Sequence, residues 1–344
     1  MRRGEAHGGR SIAAALVVLA AIAVPVAVVV YAALSTTSSS GGQAQAADPP
    51  VLAPPPAPVG RRGIPLGPPK LPEELYGLFS GTKLAVSPES AVAALHAARA
   101  KSMRVFIILV GSQRHYKSPE GSFDLDRWKA TLDEFRGVDL AEFVADRTIV
   151  AHQLVSEAKA RGQWNGTVIP NNVLDEMARY SKEVWPTMPT VLRTDPSDLE
   201  EHAAAFGVPW PGWKWRYLDA ASARYLARKG SVDAFASSEQ ASATRQRLAL
   251  VTGLNVLSGG DGSSGLPSPR SGMWAMSPEE LRRYGSALLL RTTPCAFELW
   301  RYETPGSAFE DYHYFRRREI AAAVTELAAI ASRRPARPCR RHPG

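Results

Sequence analysis

Residues 71–332 alternate short apolar runs with amphipathic ones, and the two kinds of run carry different periods. The segment 104–111 contains Val105-Phe106-Ile107-Ile108-Leu109-Val110, a continuous apolar run of the kind that forms a strand covered on both faces. Comparable runs predict strands at 75–79, 148–155, 190–194, 216–219, 248–257 and 296–302. Between them the period lengthens to that of a helix. Trp128, Leu132 and Phe135 fall at i, i+4, i+7, as do Ile320, Val324 and Leu327, while Leu281, Tyr284 and Leu288 fall at i, i+3, i+7. Two helices open on Ser-Pro-Glu, at Ser87-Pro88-Glu89 and Ser277-Pro278-Glu279. There serine caps, proline suits the first helical position and glutamate complements the helix dipole.

Strand–helix alternation over a body of this length predicts an α/β fold, a (β/α)8 TIM-barrel-like domain across 71–332. Seven strands can be placed and the eighth cannot, so an open doubly wound sheet or an irregular barrel stays open as an alternative. The pattern changes outside the body. Residues 12–34 form an uncharged apolar run of 23 residues behind Arg2, Arg3 and Arg10. At about 1.5 Å per residue it spans roughly 34 Å, enough for a bilayer core. The expectation is a transmembrane signal-anchor with residues 1–11 inside and the body extracytoplasmic. A cleaved signal, which would secrete the body, is the alternative. Residues 35–70, rich in Ser, Gly and then Pro, read as a disordered Pro-rich linker.

Charge changes the picture once it is located. The chain carries +8 overall, but residues 1–70 hold +4 and the basic C-terminal tail 333–344 holds +5, leaving the body at −1. A near-neutral body argues against a nucleic-acid partner. The tail reads as a solvated segment, with acidic polymers or headgroups as its alternative contact. Cys295 and Cys339 are the two cysteines; Cys295 opens a predicted strand, and the last helix returns the chain to that end, so a disulfide is expected between them.

Several chemistries find no support in the sequence. Gly260-Asp261-Gly262-Ser263-Ser264-Gly265 matches a dinucleotide fingerprint, but Leu266-Pro267-Ser268-Pro269 follows where a helix must start. The seven histidines show no metal-ligand spacing, so neither a metal nor a cofactor is expected. Acids and aromatics at strand ends are more informative, because a parallel barrel builds its site there. The strand predicted at 148–155 runs through His152-Gln153-Leu154-Val155 and on by Ser156 into Glu157. In Phe297-Glu298-Leu299-Trp300-Arg301-Tyr302, alternation puts Glu298, Trp300 and Tyr302 on one face and Phe297 and Leu299 on the other. An acid beside two aromatics suits a sugar subsite. A structural carboxylate inside the barrel is the other reading of Glu298.

The stretches His152 to Glu157, Gln163-Trp164-Asn165-Gly166, Trp185-Pro186-Thr187-Met188-Pro189-Thr190-Val191 and Gly253-Leu254-Asn255-Val256-Leu257 resemble bacterial extracytoplasmic barrels of glycoside-hydrolase-like type. Such proteins usually read Asp-Glu-Pro after the strand that ends here in Leu154-Val155; this chain keeps the glutamate as Glu157 and carries Ser156 and Ala158 beside it. The resemblance names no substrate. It implies a membrane-anchored protein acting on a glycan or polysaccharide. Joined to the strand-end reading, which alone supplies Glu298, it makes Glu157 and Glu298 the expected catalytic pair, with His152, Trp164, Arg193, Asp219, Asn255, Trp300 and Tyr302 expected to bind substrate. A non-catalytic glycan-binding barrel and a structural envelope protein are the other two readings.

Overall fold

The computed structural model describes residues 63–72, 75–205, 214–268, 272–300 and 313–342. The run 12–34 and linker residues 35–62 lie outside them. Among the described residues no helix is long and apolar enough to cross a membrane.

Eight parallel strands form the core: β1 (Leu66–Gly67), β2 (Gly81–Ala85), β3 (Arg104–Ile108), β4 (Ile149–Ser156), β5 (Thr190–Arg193), β6 (Ala220–Tyr225), β7 (Ala249–Asn255) and β8 (Ala296–Trp300). Each pairs with its sequence neighbour from β2 to β8, and β1 pairs with β8. The ring is nearly closed between β1 and β2, where the Ser80 N–H donates to the Leu66 carbonyl at 3.0 Å. Gly67 makes that approach possible, since a Cβ there would lie 1.8 Å from the Gly81 carbonyl oxygen. The helices are α1 (Pro88–Ala100), α2 (Leu125–Asp133), α3 (Ala141–Ala145), α4 (Asn171–Val184), α5 (Pro196–Ala205), α6 (Val232–Arg245), α7 (Pro278–Arg291), α8 (His313–Arg316) and α9 (Arg318–Arg333).

The architecture is therefore a (β/α)8 barrel, and three sequence expectations are corrected within it. The missing strand is β1, inside the segment read as linker up to residue 70; Ile64 and Leu66 are buried there. No strand forms at 75–79: the Leu78 N–H turns back to the Leu75 carbonyl, and β2 follows at Gly81–Ala85. Nor does 216–219 form one. The N–H groups of Arg216, Tyr217 and Leu218 all donate to the Asp175 carboxylate at 2.8–3.2 Å, which takes them out of any ladder. The strand begins one residue later, at Ala220.

Side chains alternate between a helix-facing layer and the barrel interior. Val105, Ile107, Leu154, Phe297 and Leu299 join the large apolar cluster with the helices. Phe106, Ala151, Val191, Val251 and Ala296 form a smaller cluster inside. At its capped start α7 shows why a helix begins there: Ser277 Oγ accepts the Glu280 N–H at 3.1 Å while the Glu280 carboxylate accepts the Ser277 N–H at 2.7 Å.

The C-terminal tail does not run free into solvent. A disulfide joins Cys295 to Cys339, and Arg334 donates to the carbonyls of Leu289 at 2.5 Å and Thr292 at 3.0 Å. Arg341 reaches the Trp215 carbonyl at 2.5 Å. The tail thus crosses the N-terminal face of the barrel.

Candidate functional site

Each interior file turns from apolar to polar toward the C-terminal end of its strand. Val191 is followed inward by Arg193, Ala220 by Ser222 and Arg224, Val251 by Gly253 and Asn255, and Ala296 by Glu298 and Trp300. The result is a polar mouth at the end where such barrels carry their sites.

Lys83 and Glu298 lie deepest. Both are about 5% exposed, and Lys83 Nζ donates to Glu298 Oε1 at 2.7 Å. Burial pushes the Lys83 ammonium down to about 8, partly offset by Glu298. Burial also works to raise Glu298, but Lys83 and Arg224 outweigh it and hold the carboxyl below the usual glutamate range.

Above this pair sits Trp300, with three cations against one ring: Arg193 at 4.1 Å, Arg224 at 4.7 Å and Lys83 at 5.7 Å from its centroid. Burial, then Arg224, lowers Arg193 to about 10.

Glu157 closes the arrangement. It follows β4 in the left-handed region at φ +56°, a conformation that costs a non-glycine residue about 1–2 kcal/mol. That backbone turns its carboxylate to the arginines: Oε1 lies 3.0 Å from Arg193 and 3.5 Å from Arg224. Trp164 holds it from behind by donating its indole N–H to the Glu157 carbonyl at 2.9 Å.

A cavity of about 210 Å³ opens over this cluster, lined among others by Glu157, Arg193, Arg224, Ser222 and Asn255. Asp195 and Lys229, an ion pair, also border it, as does Lys159, whose amine burial lowers to about 7. Three lining side chains keep buried polar atoms without a hydrogen bond: Nε and Nη1 of Arg193, Oγ of Ser222 and Oδ1 of Asn255. Residues with unmet donors and acceptors gathered around one cavity suit a polar ligand able to meet both kinds.

Of the residues expected to form the site, Glu157, Arg193 and Asn255 line the cavity, and Trp300 supports its arginines. Glu298 lies beneath, in its pair with Lys83, and borders the closed interior instead. Trp164 is buried behind Glu157. His152 points the other way. It is buried under the helices, stacks on Trp128 with centroids 6.4 Å apart and hydrogen bonds Ser181 at 2.8 Å, and burial lowers it to about 3. The placement of Asp219 is corrected outright. It precedes β6, at the opposite end of the barrel, where it accepts from Lys182 at 2.5 Å and from the Thr190 N–H at 2.9 Å. Tyr302 lies outside the described residues. Lys83, Ser222 and Arg224 were missed, because β2 and β6 were placed one segment too early.

No protein-family model matches the chain, and no characterised protein matches it by sequence. Solved structures do share its fold. A β-glucanase from Saccharophagus degradans superposes with a TM-score of 0.51 at 10% identity, over 79% of this chain and 89% of that one. An endo-1,4-β-xylanase from Caldicellulosiruptor owensensis gives 0.47 at 10% identity, over 78% and 99%. For a β-glucuronidase from an uncultured Clostridium sp. the values are 0.45 and 12%, over 77% of this chain but only half of that one. The barrel thus shares its fold with that β-glucanase.

Proposed function

We propose that this protein is a glycoside-hydrolase-like barrel that binds a glycan or polysaccharide at its C-terminal mouth without cleaving it. One observation carries the reading. The cavity is lined by Arg193, Ser222 and Asn255, each of which keeps an unmet polar atom, yet Glu157 is the only member of the Glu157/Glu298 pair that borders it. Sugar hydroxyls both donate and accept, so they match donors on Arg193 and the acceptor on Asn255 together. Hydrolysis by paired carboxylates needs two acids flanking one bond across open space. Glu298 is instead enclosed in its ion pair with Lys83, and Asp195, a further acid on the cavity, is taken up in its ion pair with Lys229.

The competing reading, a hydrolase using both glutamates, has Glu157 at the end of β4 in its favour. A panel of polysaccharides scored separately for retention and for newly released reducing ends distinguishes the two. Retention without release supports binding. Release that disappears in both Glu157→Gln and Glu298→Gln establishes the hydrolase and overturns the proposal.

For placement in the cell, the apolar run 12–34 behind three arginines supports a single-pass anchor with the barrel outside. Cleavage of the barrel by protease added to intact cells or spheroplasts, before any lysis, is the expected result. Cleavage only after lysis of the inner compartment, with the barrel recovered in the soluble cytoplasmic fraction, would contradict it.

A further inference from the structure

The opposite end of the barrel carries a second cavity, of about 370 Å³, where the C-terminal tail lies across the strand starts. Four arginines line it: Arg104 and Arg147 from the barrel, Arg337 and Arg340 from the tail. No aspartate or glutamate lines it. Its walls are apolar, with Ile149 and Val150 on one side and Pro338 on the other.

The arginines are held there by construction. Cys339 is tied to Cys295 beside them, and Arg340 donates to the Thr187 carbonyl. The tail is fixed again on the far side, where the Arg341 N–H donates to Asp219 at 3.3 Å. Arg147 and Arg337 make no side-chain hydrogen bond or ion pair with any described residue. Converging guanidiniums repel one another, and an anion between them relieves that repulsion. A guanidinium fork matches carboxylate or phosphate. Four forks around one space favour the tetrahedral group, whose oxygens point in several directions while a carboxylate accepts in one plane. The volume exceeds that of a single ion, since one water occupies about 30 Å³ of liquid. The apolar walls suit an organic substituent.

We infer that the N-terminal face of this barrel binds an organic phosphate, monoester or diester, in the arginine-lined cavity closed by the disulfide-tethered tail. A soluble phosphate and a lipid headgroup share this chemistry. Calorimetric titration of the full chain with sn-glycerol 3-phosphate, and separately with dihexanoylphosphatidylglycerol below its micellar concentration, distinguishes the two. The test compares Arg147→Asn/Arg337→Ser with Arg114→Ser/Arg228→Ser, which removes the same two charges from the other end of the barrel. Matched thermal melts of the three proteins show that each is folded. Binding of either probe that falls at least tenfold in the first variant and less than twofold in the second supports the site, and the probe that binds identifies the source. No binding of either probe, or equal loss in both variants, overturns it.

Discussion

At the scale of single residues, the interior pair Lys83–Glu298 governs how the mouth is supported. A buried charge left without its partner is strongly destabilising, by about 3–5 kcal/mol, whereas replacing both partners with apolar groups is often close to neutral. Lys83→Met should therefore lower unfolding free energy by about that amount, and Lys83→Met/Glu298→Leu should recover most of it. Chemical denaturation of the three variants checks this; a double variant as unstable as the single one would contradict it.

Two buried amines also set a pH dependence. Lys83 and Lys159 fall from 10.5 to about 8 and about 7 in the folded state, both chiefly through burial. The unfolded chain then holds more protons between roughly pH 7 and 10.5, so stability rises with pH through that window and is lost as pH falls through the folded values. The melting temperature should be higher at pH 9 than at pH 7. A lower value at pH 9 would show that these amines do not control stability there. The tyrosines Tyr116 and Tyr225, raised by burial from 10.0, act only from about pH 10 upward, beyond both pH values compared.

Residue chemistry was only partly legible in the sequence. Glu157, Arg193 and Asn255 could be read because each ends an apolar run that is recognisable as a strand. Lys83 and Arg224 could not. The segment Ala220-Ala221-Ser222-Ala223-Arg224-Tyr225 has the composition of a helix, and Gly81-Thr82-Lys83-Leu84-Ala85 holds only one large apolar residue. Their strand identity is decided by neighbours: β6 pairs with β5 and β7, and β2 with β3. His152 misled for a different reason. Alternation from the interior Ala151 turns it outward to the helices, where Ser181 and Trp128 hold it, and a polar residue near a strand end looks like a site residue until those partners are seen.

At the scale of elements, the helices were the most legible part, since their apolar positions recur at fixed spacing. Trp128 and Leu132 of α2, Leu281 and Leu288 of α7, and Ile320, Val324 and Leu327 of α9 are all buried as the periods require. The first strand was the least legible, because two residues carry no period and prolines surround them. Its role is nevertheless to close the ring. Gly67→Ala should destabilise the fold by at least 1–3 kcal/mol, as overpacking does, because its Cβ has no room against the Gly81 carbonyl. An unchanged denaturation midpoint would mean that β1 is not held against β2.

The tail is an element of the same kind, tied rather than packed. Its disulfide spans a sequence separation of 44 residues. On the chain-entropy account a loop of that length contributes about 4 kcal/mol. Cys339→Ser should lower stability by about 2–5 kcal/mol, measured without reductant, and added reductant should reduce the wild type to the same level. Equal stability of the two proteins in oxidising buffer would contradict a structural role for the bond.

For the whole molecule, the two ends of the barrel divide the work. The C-terminal end gathers acids and bases in near balance over a tryptophan, with polar atoms left to meet a ligand. At the N-terminal end the cavity under the covalently tied tail is lined by four arginines and no acid. Subtracting the termini made the body nearly neutral, yet the folded tail returns part of its charge to one face. Overall basicity therefore says less about partners than where each charge is anchored.

The central claim is that glycan is bound, uncleaved, at the C-terminal mouth. Its most direct measurement is calorimetric titration of the full chain with the polysaccharide it retains, set beside Arg224→Met and Arg147→Asn, with reducing ends assayed at the end of each run. The account predicts unchanged reducing ends, affinity lowered about tenfold or more in Arg224→Met, a loss of about 1.4 kcal/mol, and no change in Arg147→Asn. Affinity untouched by Arg224→Met, or reducing ends that accumulate with wild-type protein, would contradict it.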